Sequence, residues 1–324
     1  MKGSPIPAPT LLRPILDTYL DSAVAVVGCR SRGIERYSCE HDVLVVTPER
    51  RPRTSLRIGD NYVDIIFVTE RDLLKPANPE HALSLAFAMP VRDTSLVLST
   101  SSATNLATLG DSAKKGSEKR LASALKILGR GDLALSKGSL VEADFWLLAS
   151  SYEFAYALIL STESLPSPSH LLSQLRGGPK QRDGGFEGVT MGAGLEAASR
   201  AGCGARLEGV TVLHDILRER TKNESQGPTW PLARTEILVA KAEELAARVE
   251  LAECFSYLGQ ELVDAMMHLF KLNPRKTLTS LTSGRDRLLG ERLTRQLGLA
   301  RSDKAVATGL AYLRERVSRF ARST

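Results

Sequence analysis

At 324 residues the chain exceeds a single small core and has the length of two domains. Its 43% hydrophobic and 25% charged residues are those of an ordinary soluble protein, and no run of about 20 apolar residues is present to cross a membrane, so a cytoplasmic protein is the expectation. Cys29, Cys39, Cys203 and Cys254 form no CxxC pair and no metal-ligand spacing with histidine, which argues against a zinc site and a disulfide framework.

In chain order, three prolines in Met1 to Thr10 suggest a short extended arm, and residues 8–20 read as an opening helix. Ala23 to Val27 is an apolar run that ends in Gly28, as a buried strand would. Asp42 to Thr47 is a second strand. A third ends at Arg57 to Asp60 and turns through Gly59-Asp60-Asn61 into a fourth, Tyr62 to Thr69. Pro79 to Phe87 is helical, with Asn78 as its cap and Pro79 in the first position. Ser95 to Ser101 reads as a fifth strand. Beyond it helical patterns take over: 105–129, 138–163, 168–176, 206–221, 232–272, which Asn273-Pro274 terminates, and 302–322. The fold expected is an α+β domain over 1–110, a mixed sheet with flanking helices, followed by an all-α helical bundle over 111–324. Nine glycines between Arg176 and Gly204 make 176–204 a loop or insertion with one short helix at Leu195 to Arg200. Those glycines match neither GxGxxG nor GxxxxGK.

The segment from Gly28 to Val46 carries the chemistry. A small turn at Gly28-Cys29 follows a buried strand, with Arg32-Gly33 just beyond it. Glu40 and Asp42 stand two residues apart at the start of the next strand, so both carboxylates point to one face. Asp64 interrupts the apolar run YVDIIFV, where a buried acid needs a partner. Three carboxylates on neighbouring strands suit a hard divalent cation, Mg²⁺ first and Mn²⁺ second.

This segment resembles the signature of the DNA-polymerase-beta-like nucleotidyltransferases, G-S-x-x-R-G … S-D-x-D, with a third aspartate on a later strand. Gly28 stands on the motif glycine, Cys29 on its serine, and Arg32-Gly33 on its Arg-Gly. Cys39 takes the place of the second serine, Glu40 and Asp42 those of the two aspartates, and Asp64 that of the third. The likeness covers residues 8 to 100. It implies that Glu40, Asp42 and Asp64 hold the metal ions and act catalytically. Gly28, Cys29, Arg32 and Gly33 would cradle the triphosphate of an NTP, with ATP the expected donor. The reaction implied is transfer of a nucleoside monophosphate to a hydroxyl of a small molecule, a protein or an RNA end, releasing pyrophosphate. Two departures, Cys for Ser at 29 and Glu for Asp at 40, leave an alternative open: a degenerate fold that binds nucleotide or RNA without turnover, in one version as half of a two-protein defence pair. His41 is either neutral or, if protonated, weakens cation binding.

In antibiotic-modifying relatives a helical domain closes on the metal site and supplies an acid that deprotonates the acceptor. Glu142 and Glu153, eleven residues apart and so about 20° apart around a helix, are the candidates, although salt-bridged acids are the blander reading. Tyr152, Phe154 and Tyr156 read as core, and His170 as a satisfied surface residue. Arg206 and His214 are spaced too far apart to match the Arg–His motif of HEPN bundles. Over 232–272 an apolar stripe that includes Leu245, Val249, Phe255 and Leu262 expects packing within the bundle or against a second copy, a homo-oligomer. From residue 273 to 324 twelve Lys/Arg face four Asp/Glu, a basic helical tail that could meet RNA phosphates.

Overall fold

The structure, a computed structural model, describes residues 9–177, 184–221, 230–272, 293–299 and 301–323. The N-terminal arm at 1–8, the Asn273-Pro274 stop and most of the basic tail's first half, 273–292, lie outside the described residues. Two compact units result: Met1–Gly116 with Glu163–Ser167 and Pro231–Ala240, and Ser117–Thr162 with Pro168–Trp230 and Lys241–Thr324. The first division falls inside one continuous helix, and two later segments return to the first unit.

The first unit is built on a five-stranded mixed sheet in the order β3-β4-β2-β1-β5. Its strands are β1 (Val24–Val27), β2 (His41–Val46), β3 (Thr54–Ile58), β4 (Asn61–Val68) and β5 (Met89–Arg92). β2 and β4 run parallel in the centre; the other pairs are antiparallel. Alternation sorts the side chains onto two faces. On one, Val24, Val26, Val43, Val45, Val63 and Ile65 pack against Leu11, Leu12 and Ile15 of α1 (Pro9–Thr18). On the other, Ala25, Val27, Leu44, Val46 and Val68 pack against Leu73, Leu85 and Leu98. These three come from α3 (Glu70–Leu74), α4 (Pro79–Ala86) and α5 (Val97–Ala107), α2 being the single turn Gly28–Ser31. The Asn78 cap forms as expected, its Oδ1 accepting from the His81 amide at 2.8 Å.

One element differs from the expected pattern. Ser95 and Leu96 close a turn, Val97 to Ser101 begin α5, and the fifth strand is Met89–Arg92. Asp93 decides this: its carboxylate accepts from the Leu98 and Ser99 amides at 3.1 and 2.7 Å, so amides that a helix start leaves unpaired are satisfied. The short apolar run Leu96-Val97-Leu98 is the weaker signal.

The second unit is helical. At its centre α7 (Leu140–Leu160) buries nearly every face, and Tyr152 and Phe154 are in its core. Around it lie α8 (Leu171–Gly177), α9 (Gly185–Gly192), α10 (Arg200–Thr221), α12 (Leu251–Leu272) and α13 (Asp303–Ala321). The long helix α6 (Leu109–Ser136) and α11 (Leu232–Ala247) each contribute to both units. Within 176–204, read from sequence as a loop, the described residues hold α9 and a 3₁₀ turn at Leu195–Ala197. Gly185, Gly188 and Gly192 share one face of α9 and meet Leu158, Leu313 and Ser151 so closely that a Cβ at Gly192 would lie 2.7 Å from Ser151 Cβ. The glycines mark close helix packing rather than a break. The expected helix over 232–272 is interrupted at Val249, which adopts φ +61° and is 65% exposed, so it leaves the apolar stripe.

Asp144 of α7 is fully buried and ion-paired with Arg301, whose Nε donates at 2.7 Å while its other nitrogens donate to the Met191 and Gly192 carbonyls at 2.8 and 3.0 Å. A buried acid and a half-buried arginine thus tie α7, α9 and the start of α13 together. No helix among the described residues is long and apolar enough to cross a membrane.

Candidate metal centre

The site forms where β1 ends and β2 and β4 begin. In the parallel pairing of β2 with β4, Asp42 stands directly opposite Asp64. In the antiparallel pairing of β1 with β2, Asp42 stands opposite Val27, so Gly28 follows at its side. Both aspartates continue the face that carries Leu44, Val46 and Val68, at the strand ends where the apolar cover stops. Glu40, two residues before Asp42, shares their side, and ligand oxygens of Glu40, Asp42 and Asp64 all lie within 4.8 Å of one another. The expected acids therefore converge.

Like charges directly opposite in a sheet repel, and Asp64 is only 6% exposed, so the cluster requires positive charge and hydrogen bonds. Two residues that sequence reasoning passed over supply them. Ser55, opposite Asp64 on β3, donates its hydroxyl to Asp64 Oδ1. Arg53, just before β3, donates from one nitrogen to both acids, to Asp42 Oδ1 at 3.1 Å and to Asp64 Oδ2. Desolvation works against the Arg53 charge, and the carboxylates of Asp64 and Asp42 outweigh it, raising its pKa. The arginines of Arg50-Arg51-Pro52-Arg53 were a visible signal; their partner was not.

Gly28 has φ +77°, and a Cβ there would lie 2.1 Å from Asp42 Oδ2. Only glycine lets the turn come this close to the acid. The Gly28 carbonyl accepts from Ser31 Oγ and from Arg32 Nε, each at 3.1 Å. Arg32 Nη1 also donates to the Leu165 carbonyl at 2.5 Å, and burial lowers its pKa while Cys29 works the other way. Arg32 thus braces the turn through backbone carbonyls. Cys29 Sγ lies 3.1 Å from Ser167 Oγ, and exposed Gly33 closes the turn at φ +67°. Cys39 is buried; its sulfur accepts from the Arg36 amide at 3.2 Å, and its carbonyl accepts from Arg30 at 2.7 Å. These bonds set the approach to Glu40.

His41 is 5% exposed, and burial, helped by Arg30, lowers its pKa to about 4. The imidazole is neutral near pH 7 and adds no positive charge beside the acids. The donor set fits a divalent cation: three carboxylates, all hard oxygen donors, gathered tightly enough that a guanidinium bridges two of them.

Other expectations divide. Glu153 is ion-paired with Arg120 at 2.7 Å, and Glu142 accepts from Ser139 at 3.3 Å and from Trp146 at 3.4 Å. His170, expected at the surface, is 4% exposed, and Arg206 and His214 are equally internal. Arg206 donates to the Phe255 and Leu297 carbonyls at 3.0 and 3.1 Å, a core role. In α13, Arg314 pairs with Asp132, Arg319 with Glu315, and Arg316 lies 4.7 Å over the Tyr312 ring.

No family model matches the chain, and no curated protein matches it. Among solved structures, the chain is similar to a nucleotidyltransferase-like protein from Exiguobacterium sibiricum 255-15, with 14% identity, a TM-score of 0.36, and coverage of 89% of this chain and 87% of that one.

Proposed function

We propose that the chain is a divalent-cation-dependent nucleotidyltransferase that moves a nucleoside monophosphate from an NTP to a hydroxyl acceptor and releases pyrophosphate. One observation carries the reading: Asp42 and Asp64 face each other across parallel strands, with Glu40 within 4.8 Å, beside a turn that only glycine can make. Glu40, Asp42 and Asp64 would hold Mg²⁺ or Mn²⁺. Such ions supply Lewis acidity to the transferring phosphoryl group and its attacking and leaving oxygens.

The chain's own residues do the rest. Asp42, joined to both β1 and β4 through the sheet, fixes the acids relative to the Gly28 turn. The bare Gly28 backbone lets a polyphosphate approach without a side chain in the way. Arg32 and Cys29 keep that turn in place, and neutral His41 leaves the negative charge of the acids undiminished. Ser55 holds Asp64 in one orientation, so its free lone pairs stay directed into the cluster. The acceptor is a small molecule, a protein side chain or an RNA end, and ATP is the first donor to offer.

The test is pyrophosphate release from each NTP with Mg²⁺ or Mn²⁺, with RNA and a pool of small acceptors supplied. Release that disappears in Asp42→Ala/Asp64→Ala is the expected result. A folded protein that binds NTP equally well with and without those two acids, and releases nothing, would make the chain a nucleotide-binding module instead.

A further inference from the structure

Arg53 places a positive charge where a cation shared by Asp42 and Asp64 would sit. A single nitrogen, Nη2, donates to Asp42 Oδ1 at 3.1 Å and to Asp64 Oδ2, bridging the two acids that the sheet sets face to face. Its hold differs from that of Ser55. Ser55 is part of β3 and takes the other oxygen, Asp64 Oδ1, so Asp64 keeps its orientation whether or not Arg53 is present. Arg53 precedes β3, and its side chain remains 54% exposed. The guanidinium can therefore swing into solvent without disturbing the strands.

We propose that Arg53 is the resident counter-ion of this site: it competes with the divalent cation and, once displaced, pairs with the polyphosphate that arrives with it. The inference rests on the metal-centre reading above. A cation entering the cluster repels Arg53, and the same event brings phosphate oxygens within reach of a long, exposed side chain. Guanidinium is well matched to phosphate, because its planar fork of N–H donors meets two oxygens at once. Arg53 thus opposes the cation alone and favours the cation–polyphosphate complex. That makes cation and nucleotide binding mutually dependent, each raising the affinity for the other.

The test compares two ligands on the full chain: free Mn²⁺, followed by electron paramagnetic resonance, and the preformed Mn²⁺ complex of a non-hydrolysable ATP analogue, followed by calorimetry. Arg53→Ala and the near-isosteric Arg53→Gln are each expected to bind free Mn²⁺ about threefold to fivefold more tightly, the scale of a lost partly exposed ion pair. The same variants should bind the Mn²⁺–triphosphate complex about tenfold more weakly. Arg53→Lys, which keeps the charge without the fork, should restore competition with free Mn²⁺ and only part of the complex affinity. The opposite signs are the signature, since an arginine that merely braced the site would weaken both when removed. Parallel loss of both, or no change in either, overturns the proposal. Mn²⁺ binding that depends on Asp42 and Asp64 but is indifferent to Arg53 would sink this inference alone. Mn²⁺ binding by none of the variants would sink the metal-centre reading with it.

Discussion

Replacing Gly28 by alanine tests the geometry of the site at its tightest point. The residue has φ +77°, and the added Cβ would lie 2.1 Å from Asp42 Oδ2 and 3.0 Å from its Cγ. The left-handed backbone costs an alanine about 1–2 kcal/mol. A carbon and an oxygen need roughly 1 Å more separation than this, given contact distances of about 3.5 Å less some polar tolerance. The turn cannot yield easily, because the Gly28 carbonyl is held by Ser31 and Arg32, so the Asp42 carboxylate must move. Moving it breaks the 3.1 Å bond from Arg53 and spoils the cluster with Glu40 and Asp64. We expect a stability loss of about 2–3 kcal/mol in urea unfolding, and at least a tenfold (~1.4 kcal/mol) loss of Mn²⁺ affinity. Gly33→Ala is the control: it has φ +67° with nothing within 4 Å of its Cβ, so it should show the backbone cost alone, about 1 kcal/mol, with Mn²⁺ affinity retained. A Gly28→Ala protein that matches Gly33→Ala in both measurements would refute the argument from close approach.

Three further outcomes follow from the structure. Asp144→Ala leaves the Arg301 guanidinium without its buried carboxylate and should lower stability by about 3–5 kcal/mol, whereas Asp144→Leu/Arg301→Met should recover much of that loss; equal unfolding midpoints for wild type and Asp144→Ala would count against the clamp. Gly259→Ala drives a Cβ to 2.2 Å from the Tyr152 hydroxyl, which donates to the Ser256 carbonyl at 2.8 Å, so it should destabilise strongly, and less so on a Tyr152→Phe background; additive effects in that double-mutant cycle would show the hydroxyl is not the obstacle. Asp72 accepts from Arg50 and from the Thr69 amide and hydroxyl, and these bonds, Arg50 first, hold its pKa well below the usual carboxylate range. Its contribution is complete above the unfolded-state pKa, about 4, and is lost as pH falls below it, so Asp72→Asn should cost stability at pH 7 and steadily less toward pH 2; a pH-independent cost would contradict the linkage.

Local sequence alone specifies the strands β1, β2 and β4, the hairpin at Gly59-Asp60, the capped helix at Asn78, and the convergence of Glu40 with Asp42. Each follows from local periodicity or turn chemistry, which a chain expresses within about ten residues. The placement of Asp64 was legible as an anomaly, an acid inside an apolar strand, and its need for a partner was legible with it. Which partner it has was decided only by tertiary structure. Parallel pairing of β2 with β4 sets the register that puts Asp42 opposite Asp64, and the β3 hairpin brings Ser55 and Arg53 to the same two carboxylates. Strand order and register depend on contacts across the sheet, and no single segment encodes them. The departures from the local patterns have the same origin. Val97 to Ser101 are helical because the Asp93 carboxylate accepts from the first amides of α5, and the glycines of α9 serve close packing on α7 and α13, a use indistinguishable from a loop until the neighbouring helices are in place. His170 went inside for a similar reason: burial is a property of the whole unit, and a histidine's own residue type is compatible with either side of the surface.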